Sequence, residues 1–189
     1  MSSNKIISVS ELKKSYGRKE VLKGVSFSAQ SGQIIGLLGP NGCGKTTLIK
    51  ILTGLIKDYD GDVRIDNEEP DAYTKSIIAY LPEKPYLPDW MRPVDALEYF
   101  ADFYKDFDRP KAEKMLLRFG LDLKQKLKTM SKGQQEKLRL ALVLCRKAKL
   151  YILDEPLGGV DPAARSHILD LIMENHEKDS TILISTHLI

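Results

Sequence analysis

A glycine-rich stretch early in the chain combines the residue types that hold phosphate groups. It has the form Gly-x-x-x-x-Gly-Lys-Thr and consists of Gly39, Pro40, Asn41, Gly42, Cys43, Gly44, Lys45, Thr46 and Thr47. The glycines let the backbone curl so that successive N–H groups point at phosphate oxygens, and a following helix N-terminus adds a favourable dipole. The spacing predicts that Lys45 reaches the β- and γ-phosphates of a nucleoside triphosphate and that the Thr46 hydroxyl binds Mg²⁺.

A pair of adjacent carboxylates follows an apolar run later in the chain. Asp154 and Glu155 come directly after Leu150–Leu153, which predicts a buried strand. Since adjacent strand residues point to opposite sides, one carboxylate can face a metal shell while the other faces a water molecule. Hydrolysis of a phosphoanhydride requires this division of roles.

Polar side chains also follow two other predicted strands. Glu83 comes after the apolar run that ends at Leu81, and His187 comes after the run Thr181–Ser185. Ligands of open α/β sheets bind outside the carboxyl ends of the strands. We therefore expect Glu83, His187, the phosphate loop and the carboxylate pair to meet in one place.

The segment between these strands has a helical pattern from Pro88 to about Ala148. Pro93 occupies a first-turn position of a helix predicted to run through Phe107, and Asp108 caps a second helix that ends near Gly120. This pattern predicts a helical subdomain inserted between strands.

The residues themselves leave two interpretations open at Tyr16 and at Ser131. Tyr16 lies near a predicted turn, where its ring can pack in the core or stack on a base. Ser131 precedes the apolar helix Leu138–Leu144, and its spacing alone is best explained by an N-cap.

Composition limits the class of protein. The 189 residues are 42% apolar, enough for a compact domain with its own core, and the net charge of +3 gives no case for nucleic acid as a partner. The sequence has no apolar run near the roughly 18 residues of a membrane span and no charged-then-apolar start, so we expect neither a membrane span nor a secretory signal. Cys43 and Cys145 form no disulfide framework, so we expect a cytoplasmic protein.

Taken in their order along the chain, the motifs from Tyr16 to His187 resemble the ATP-binding cassette of ABC transporters. The family's signature Leu-Ser-Gly-Gly-Gln is similar to Met130-Ser131-Lys132-Gly133-Gln134, with two departures, and the Lys132 variant resembles cassettes of bacterial exporters. The resemblance implies an α/β phosphate-loop NTPase core with a mostly parallel sheet, an amino-terminal antiparallel β part and the inserted helical subdomain. It implies a single domain over 1–189, with a catalytic core at 1–83 and 149–189 and the helical subdomain at 84–148.

The resemblance also implies a role for each motif. Tyr16 stacks on adenine, Asp154 lies near Mg²⁺, Glu155 is the general base, and Asp161 communicates between subunits. His187 contacts the γ-phosphate. Two cassettes associate head to tail, so that Ser131, Gly133 and Gln134 of one chain close over the ATP held by the other.

Two features depart from the family pattern. The loop after Leu81 normally carries glutamine, whereas this chain has Glu83, which can ligate Mg²⁺ or order water but adds negative charge. The sequence ends two residues after His187, so we expect a missing carboxyl-terminal continuation.

The sequence thus predicts an ATP-hydrolysing subunit that dimerises on ATP and drives separate transmembrane permease subunits, in the direction of export. It would lie on the inner face of the cell membrane, held there by its permease. Two alternatives are a soluble cassette ATPase that acts on ribosomes or DNA and a nucleotide-gated interaction module without turnover.

Overall fold

The structure is a computed structural model and describes residues 5–158 and 162–187. Its strands are β1 (Lys5–Tyr16), β2 (Lys19–Gln30), β3 (Ile34–Leu38), β4 (Asp60–Ile65), β5 (Ile78–Leu81), β6 (Leu150–Asp154) and β7 (Thr181–Thr186). Its helices are α1 (Lys45–Leu52), α2 (Ala72–Ile77), α3 (Pro93–Phe103), α4 (Arg109–Arg118), α5 (Lys132–Leu144) and α6 (Pro162–Glu174), with a 3₁₀ turn at Leu127–Thr129.

The chain divides into two compact units. The first comprises the described residues of Met1–Tyr80, Ala148–Glu155 and His176–Ile189, and the second comprises those of Leu81–Lys147 and Pro156–Asn175. The predicted division at residues 84 and 149 stays a prediction.

The first unit contains an antiparallel sheet and most of a parallel sheet. The antiparallel sheet has the order β2-β1-β4, and the other has the order β3-β7-β6-β5, with β7 parallel to both of its neighbours. All five residues of β6 are buried, as expected for a central strand covered on both faces. The apolar side chains of both sheets and of α1 share one core, which includes Ile7, Ile49, Ile65 and Ile152.

The second unit is built around helices α3, α4 and α5. Their apolar faces meet in a core that contains Leu97, Phe100, Leu116, Leu138 and Leu142. None of the helices in the described part of the chain combines the length and the apolarity needed to cross a bilayer.

The predicted fold class is confirmed by this arrangement and by the structural comparisons below. The helix that starts at Pro93 ends at Phe103, so its predicted extension to Phe107 is wrong. Tyr104 has φ −118° and ψ 109°, and its ring lies 3.9 Å from the Arg146 guanidinium. Tertiary contacts therefore override helix propensity at this point.

The sequence pattern also missed a short helix. Ile77 is the last residue of α2, and β5 begins directly after it at Ile78. The Asp71 side chain accepts a hydrogen bond from Thr74 N, and the Thr74 hydroxyl accepts one from Asp71 N. This capping box starts the helix.

Candidate functional site

The phosphate loop joins the end of β3 to the start of α1. Its backbone takes positive φ values at Gly42 (81°) and at Gly44 (104°). A Cβ on Gly44 would also lie 2.9 Å from Leu22 Cδ2 and 3.2 Å from the Val21 carbonyl oxygen. Both the backbone conformation and the close packing therefore require glycine at position 44.

Helix α1 begins directly after this loop. Gly44 is its N-cap, and Leu48 N donates to Gly44 O at 2.9 Å. The first backbone N–H groups of a helix have no partner within the helix, and glycine has no side chain to cap them. An anion placed at this end would receive these hydrogen bonds and the favourable end of the helix dipole.

Lys45 supplies the positive charge of the loop and is only 8% exposed. Its Nζ donates to the carbonyl oxygen of Gly39 at 2.6 Å and to that of Pro40 at 3.2 Å. It also lies 3.5 Å from Glu155 Oε1. The ammonium group is therefore held at the loop and beside the carboxylate pair.

The carboxylate pair stands at the carboxyl end of β6, where Asp154 pairs in register with Ser185 of β7. Ser185 Oγ donates to Asp154 Oδ1 at 2.6 Å and accepts from Glu155 N at 2.9 Å. The serine is fully buried, so it fixes both acidic residues at once. Sequence reasoning missed this role, although the position of Ser185 at the end of an apolar run was visible.

Glu155, the second residue of the carboxylate pair, also contacts His187. Its Oε2 lies 2.8 Å from His187 Nδ1, and its backbone has φ 50°, in the left-handed region. For a residue other than glycine this conformation costs about 1–3 kcal/mol, and such strain is concentrated at functional sites. The ends of β6 and β7, the start of α1 and one strained residue thus bring Lys45, Asp154, Glu155 and His187 together.

Two buried carboxylate oxygens lack a hydrogen-bond partner among the described residues: Asp154 Oδ2 and Glu155 Oε1. The 3.5 Å separation from Lys45 Nζ is close enough for an ion pair with Glu155 Oε1 but does not make a hydrogen bond. Buried polar atoms are normally paired, so these two oxygens are suited to a ligand, a cation or an attacking water.

The donor set fits a magnesium ion only in combination with a nucleotide. Within residues 5–158 and 162–187, no group of three or more His, Cys, Asp or Glu side chains is arranged to hold a metal. Mg²⁺ usually takes one or two protein ligands and completes its shell with water and phosphate oxygens. The free Asp154 Oδ2 and the Thr46 hydroxyl at the start of α1 are groups of that kind.

Tyr16 ends β1 with its ring half exposed, so the core interpretation of this residue is disfavoured. Lys14 Nζ lies 5.3 Å from the ring centroid and 2.9 Å from Asp58 Oδ2. The hydrogen bond and the positive charge of Lys14 lower the pKa of Asp58, which therefore stays ionised. The exposed ring face is available for stacking.

The remaining predicted residues belong to the second unit or fall outside the described residues. Glu83 is an exposed residue of the second unit. In the same unit, Ser131 caps α5: its Oγ accepts from Gln134 N, and its own N–H donates to Gln134 Oε1. The capping interpretation of Ser131 is thus confirmed, and Gly133 lies in the first turn. Asp161 lies outside the described residues.

The chain matches the family model for ABC transporters over residues 22–158. It is 38% identical to the uncharacterized ABC transporter ATP-binding protein YdbJ of Bacillus subtilis, over 97% of this chain and 62% of YdbJ. It is 32% identical to the SkfA peptide export ATP-binding protein SkfE of the same organism, over 96% of this chain and 79% of SkfE. The chain therefore spans about three fifths of the length of YdbJ.

Solved structures show the same similarity. A Pyrococcus furiosus structure of a proposed ABC transporter ATP-binding protein superimposes with a TM-score of 0.85 at 28% identity. The superposition covers 97% of this chain and 92% of that one.

Proposed function

Since this chain belongs to the family of ABC transporter ATP-binding proteins, we propose that it hydrolyses ATP and that hydrolysis drives transport through separate transmembrane permease subunits. In this proposal two cassettes associate head to tail around ATP. The chain then works in the cytoplasm, at the inner face of the membrane that holds its permease. Export is the direction we propose, which the Lys132 signature variant and the similarity to the SkfA peptide export protein support.

The observation that carries the proposal is the environment of Glu155. One of its carboxylate oxygens accepts from His187, while the other is buried, lies beside Lys45 and has no hydrogen-bond partner among the described residues. A fixed carboxylate with a free oxygen can accept a proton from a water molecule. We therefore assign Glu155 as the general base for attack on the γ-phosphate.

The phosphate loop would bind the triphosphate. The N–H groups of its glycine-rich backbone and of the first turn of α1 donate to phosphate oxygens, and Lys45 exchanges its contacts with the loop carbonyls for contacts with phosphate. Charge that develops on the γ-phosphate during hydrolysis is then stabilised by groups already in place.

Thr46 and Asp154 are the residues that we propose to hold Mg²⁺, with Glu83 as a further candidate. When bound, the ion neutralises phosphate charge and orients the triphosphate. Ser185 keeps Asp154 Oδ1 occupied, so that Oδ2 would be the oxygen left to bind the ion or its water. His187 holds Glu155 and would contact the γ-phosphate through its other ring nitrogen.

The remaining roles complete the proposed dimer. The exposed Tyr16 ring would stack on the adenine. Ser131, Gly133 and Gln134 of one chain would close over ATP bound to the other chain, and Asp161 would communicate across the interface.

The test is phosphate release from Mg·ATP by the chain and by Glu155→Gln. The amide keeps the size of the side chain but cannot accept the proton, so turnover should fall by about 10²–10⁴-fold while ATP binding persists. Glu174→Gln is the matched control because Glu174 is an exposed carboxylate that has no part in the proposed site. A Glu155→Gln protein that hydrolyses ATP at the parent rate would contradict the assignment of the base.

A further inference from the structure

Arg139 is a buried arginine of helix α5 that holds a loop by its backbone. It is 5% exposed, and its Nη1 donates to the carbonyl oxygen of Pro82 at 3.1 Å. The same nitrogen lies 3.5 Å from the carbonyl oxygen of Glu83. The loop that carries Glu83 is therefore attached to the middle of α5 by one guanidinium group.

Glu136 orients this guanidinium. It lies one turn earlier on α5, is 8% exposed, and its Oε2 accepts a hydrogen bond from Arg139 Nη2. The carboxylate neutralises the arginine, so the pair adds little net charge beside Glu83. Its effect on the loop must therefore come from hydrogen bonding to the two carbonyls.

A buried ion pair of this kind is not explained by stability alone. Removing two charges from water is costly, and apolar residues of similar volume often stabilise a core equally well. Arg139 Nε is also buried without a hydrogen-bond partner among the described residues, which adds to the cost. A role in holding the backbone carbonyl groups of Pro82 and Glu83 explains why the chain keeps the buried Arg139–Glu136 ion pair despite the free energy that its burial costs.

The guanidinium holds the loop at two successive residues. Nη1 carries two N–H groups and faces two carbonyl oxygens, the nearer at 3.1 Å and the farther at 3.5 Å. With both carbonyls at one nitrogen, a displacement of α5 is passed on to the loop. Ser131 and Gly133 stand at the start of this same helix.

We propose that Arg139 is a positioning residue that makes the Pro82–Glu83 loop and helix α5 move as one piece. This inference rests on the proposed function, because it links a residue proposed to act at Mg²⁺, Glu83, to the residues proposed to close over a second chain's ATP. Arg139 itself touches neither nucleotide nor metal.

The first arm of the test needs no nucleotide. Spin labels are attached through Lys84→Cys and Lys132→Cys, two exposed positions on the loop and on the first turn of α5, in a chain that also carries Cys43→Ser. Pulsed EPR then measures the distance between the labels. Arg139→Met should broaden the distance distribution by about 2 Å, the amplitude of a mobile loop.

Arg146→Met is the matched control. Arg146 is equally buried in the same unit, and the contacts described for it include the Asp106 carboxylate and the Tyr104 ring. It should lower stability in urea without broadening the distribution. Arg139→Lys keeps one charged donor and should give an intermediate distribution, which preserves the test if Arg139→Met does not fold.

The second arm measures ATP binding and turnover in the unlabelled proteins. Arg139→Met should lower kcat by about 10- to 100-fold, as expected for misplaced groups, with ATP affinity unchanged. A distribution for Arg139→Met as narrow as that of the parent, or a kcat equal to that of Arg146→Met, would overturn the proposal. A parent chain that hydrolyses no ATP would contradict the proposed function instead, and the EPR result would still decide whether Arg139 holds the loop.

Discussion

The polar groups at the carboxylate site of the first unit differ in their hydrogen bonding from those at the helix starts of the second unit. At α5 and α4, the caps Ser131 and Asp108 each accept a hydrogen bond from the backbone N–H three positions later. At the end of β6, Asp154 and Glu155 depend on Ser185, about thirty residues away, and each keeps a buried oxygen unpaired among the described residues.

This difference indicates where a ligand is expected. A completed local hydrogen bond stabilises the fold and needs nothing more, whereas a buried oxygen without a partner costs about 1–3 kcal/mol until something binds it. The backbone strain at Glu155 adds to that cost. The carboxylate site therefore carries its cost where chemistry is proposed, whereas the two helix caps add stability.

The largest expected effect comes from removing the charge of the phosphate loop. Lys45→Ala should weaken ATP binding by about 10²-fold or more, because it removes a buried cation that we propose to contact phosphate. In the proposed dimer bound ATP holds the two chains together, so the variant should remain monomeric. Lys50 is an exposed lysine on the same helix, and Lys50→Ala should bind ATP as the parent does.

Glu155→Gln shows the opposite behaviour in the same experiment. Because it binds ATP without hydrolysing it, it should run as a dimer with ATP and as a monomer with ADP. Size-exclusion chromatography with light scattering measures both variants. A Glu155→Gln chain that traps ATP and stays monomeric would contradict the head-to-tail dimer.

Each unit contains one cysteine, and we expect the two thiols to differ in reactivity. Cys43 is exposed in the phosphate loop, and a Cβ on Gly39 would lie 2.8 Å from its Sγ. Cys145 is buried in the second unit, where burial raises the pKa of its thiol to about 12, so it stays protonated and unreactive at pH 8. Alkylation should therefore occur at Cys43.

The added group should occupy the space of the phosphates, so ATP binding should be lost in step with labelling. ATP should in turn protect the thiol. Mass spectrometry of labelled peptides locates the modification, with Cys145 as an internal control. Unchanged ATP binding by a chain alkylated at Cys43 would show that the loop does not enclose the phosphates.

A smaller effect is expected at the two buried serines of the first unit. Ser185 holds Asp154 and Glu155, whereas Ser180 donates to the carbonyl oxygen of Glu177 at 2.9 Å. Either Ser→Ala change should lower the free energy of unfolding by about 1–3 kcal/mol. Only Ser185→Ala should also lower turnover, by about tenfold, because it frees both carboxylate residues.

Urea unfolding and steady-state phosphate release separate the two effects. If Ser180→Ala slowed turnover as much as Ser185→Ala, the loss would reflect general destabilisation, and the serine bridge would have no specific part in the site.

The sequence was most informative where neighbours along the chain decide the structure. The phosphate loop, the cap at Ser131 and the cap at Asp108 each depend on residues within a few positions, and each lies where the pattern predicted it. The parallel sheet was also predictable, because β6 is a continuous apolar run followed by carboxylates.

Two long-range contacts could not be read from the chain, because one depends on strand register and the other on tertiary packing. Ser185 meets Asp154 because β6 and β7 pair in that register, and Arg139 meets Pro82 across more than fifty residues. No local pattern marks either pair, since serine and arginine at these positions have many possible partners. The end of α3 was not predicted for the same reason: the helix stops before Tyr104, whose ring contacts the distant Arg146 guanidinium.

The smallest effect tests whether a helix cap of the second unit also has a role in the proposed dimer. Ser131→Ala and Asp108→Ala each remove an N-cap, which should lower the free energy of unfolding by about 1 kcal/mol and the melting temperature by about 2–4 °C. Ser131 is also proposed to close over the ATP of a second chain. In the Glu155→Gln background, Ser131→Ala should therefore weaken ATP-dependent dimerisation by about tenfold, as expected for a lost hydrogen bond to a charged group, whereas Asp108→Ala should not. Equal dimerisation by the two variants, at equal loss of stability, would mean that Ser131 is a helix cap and nothing more.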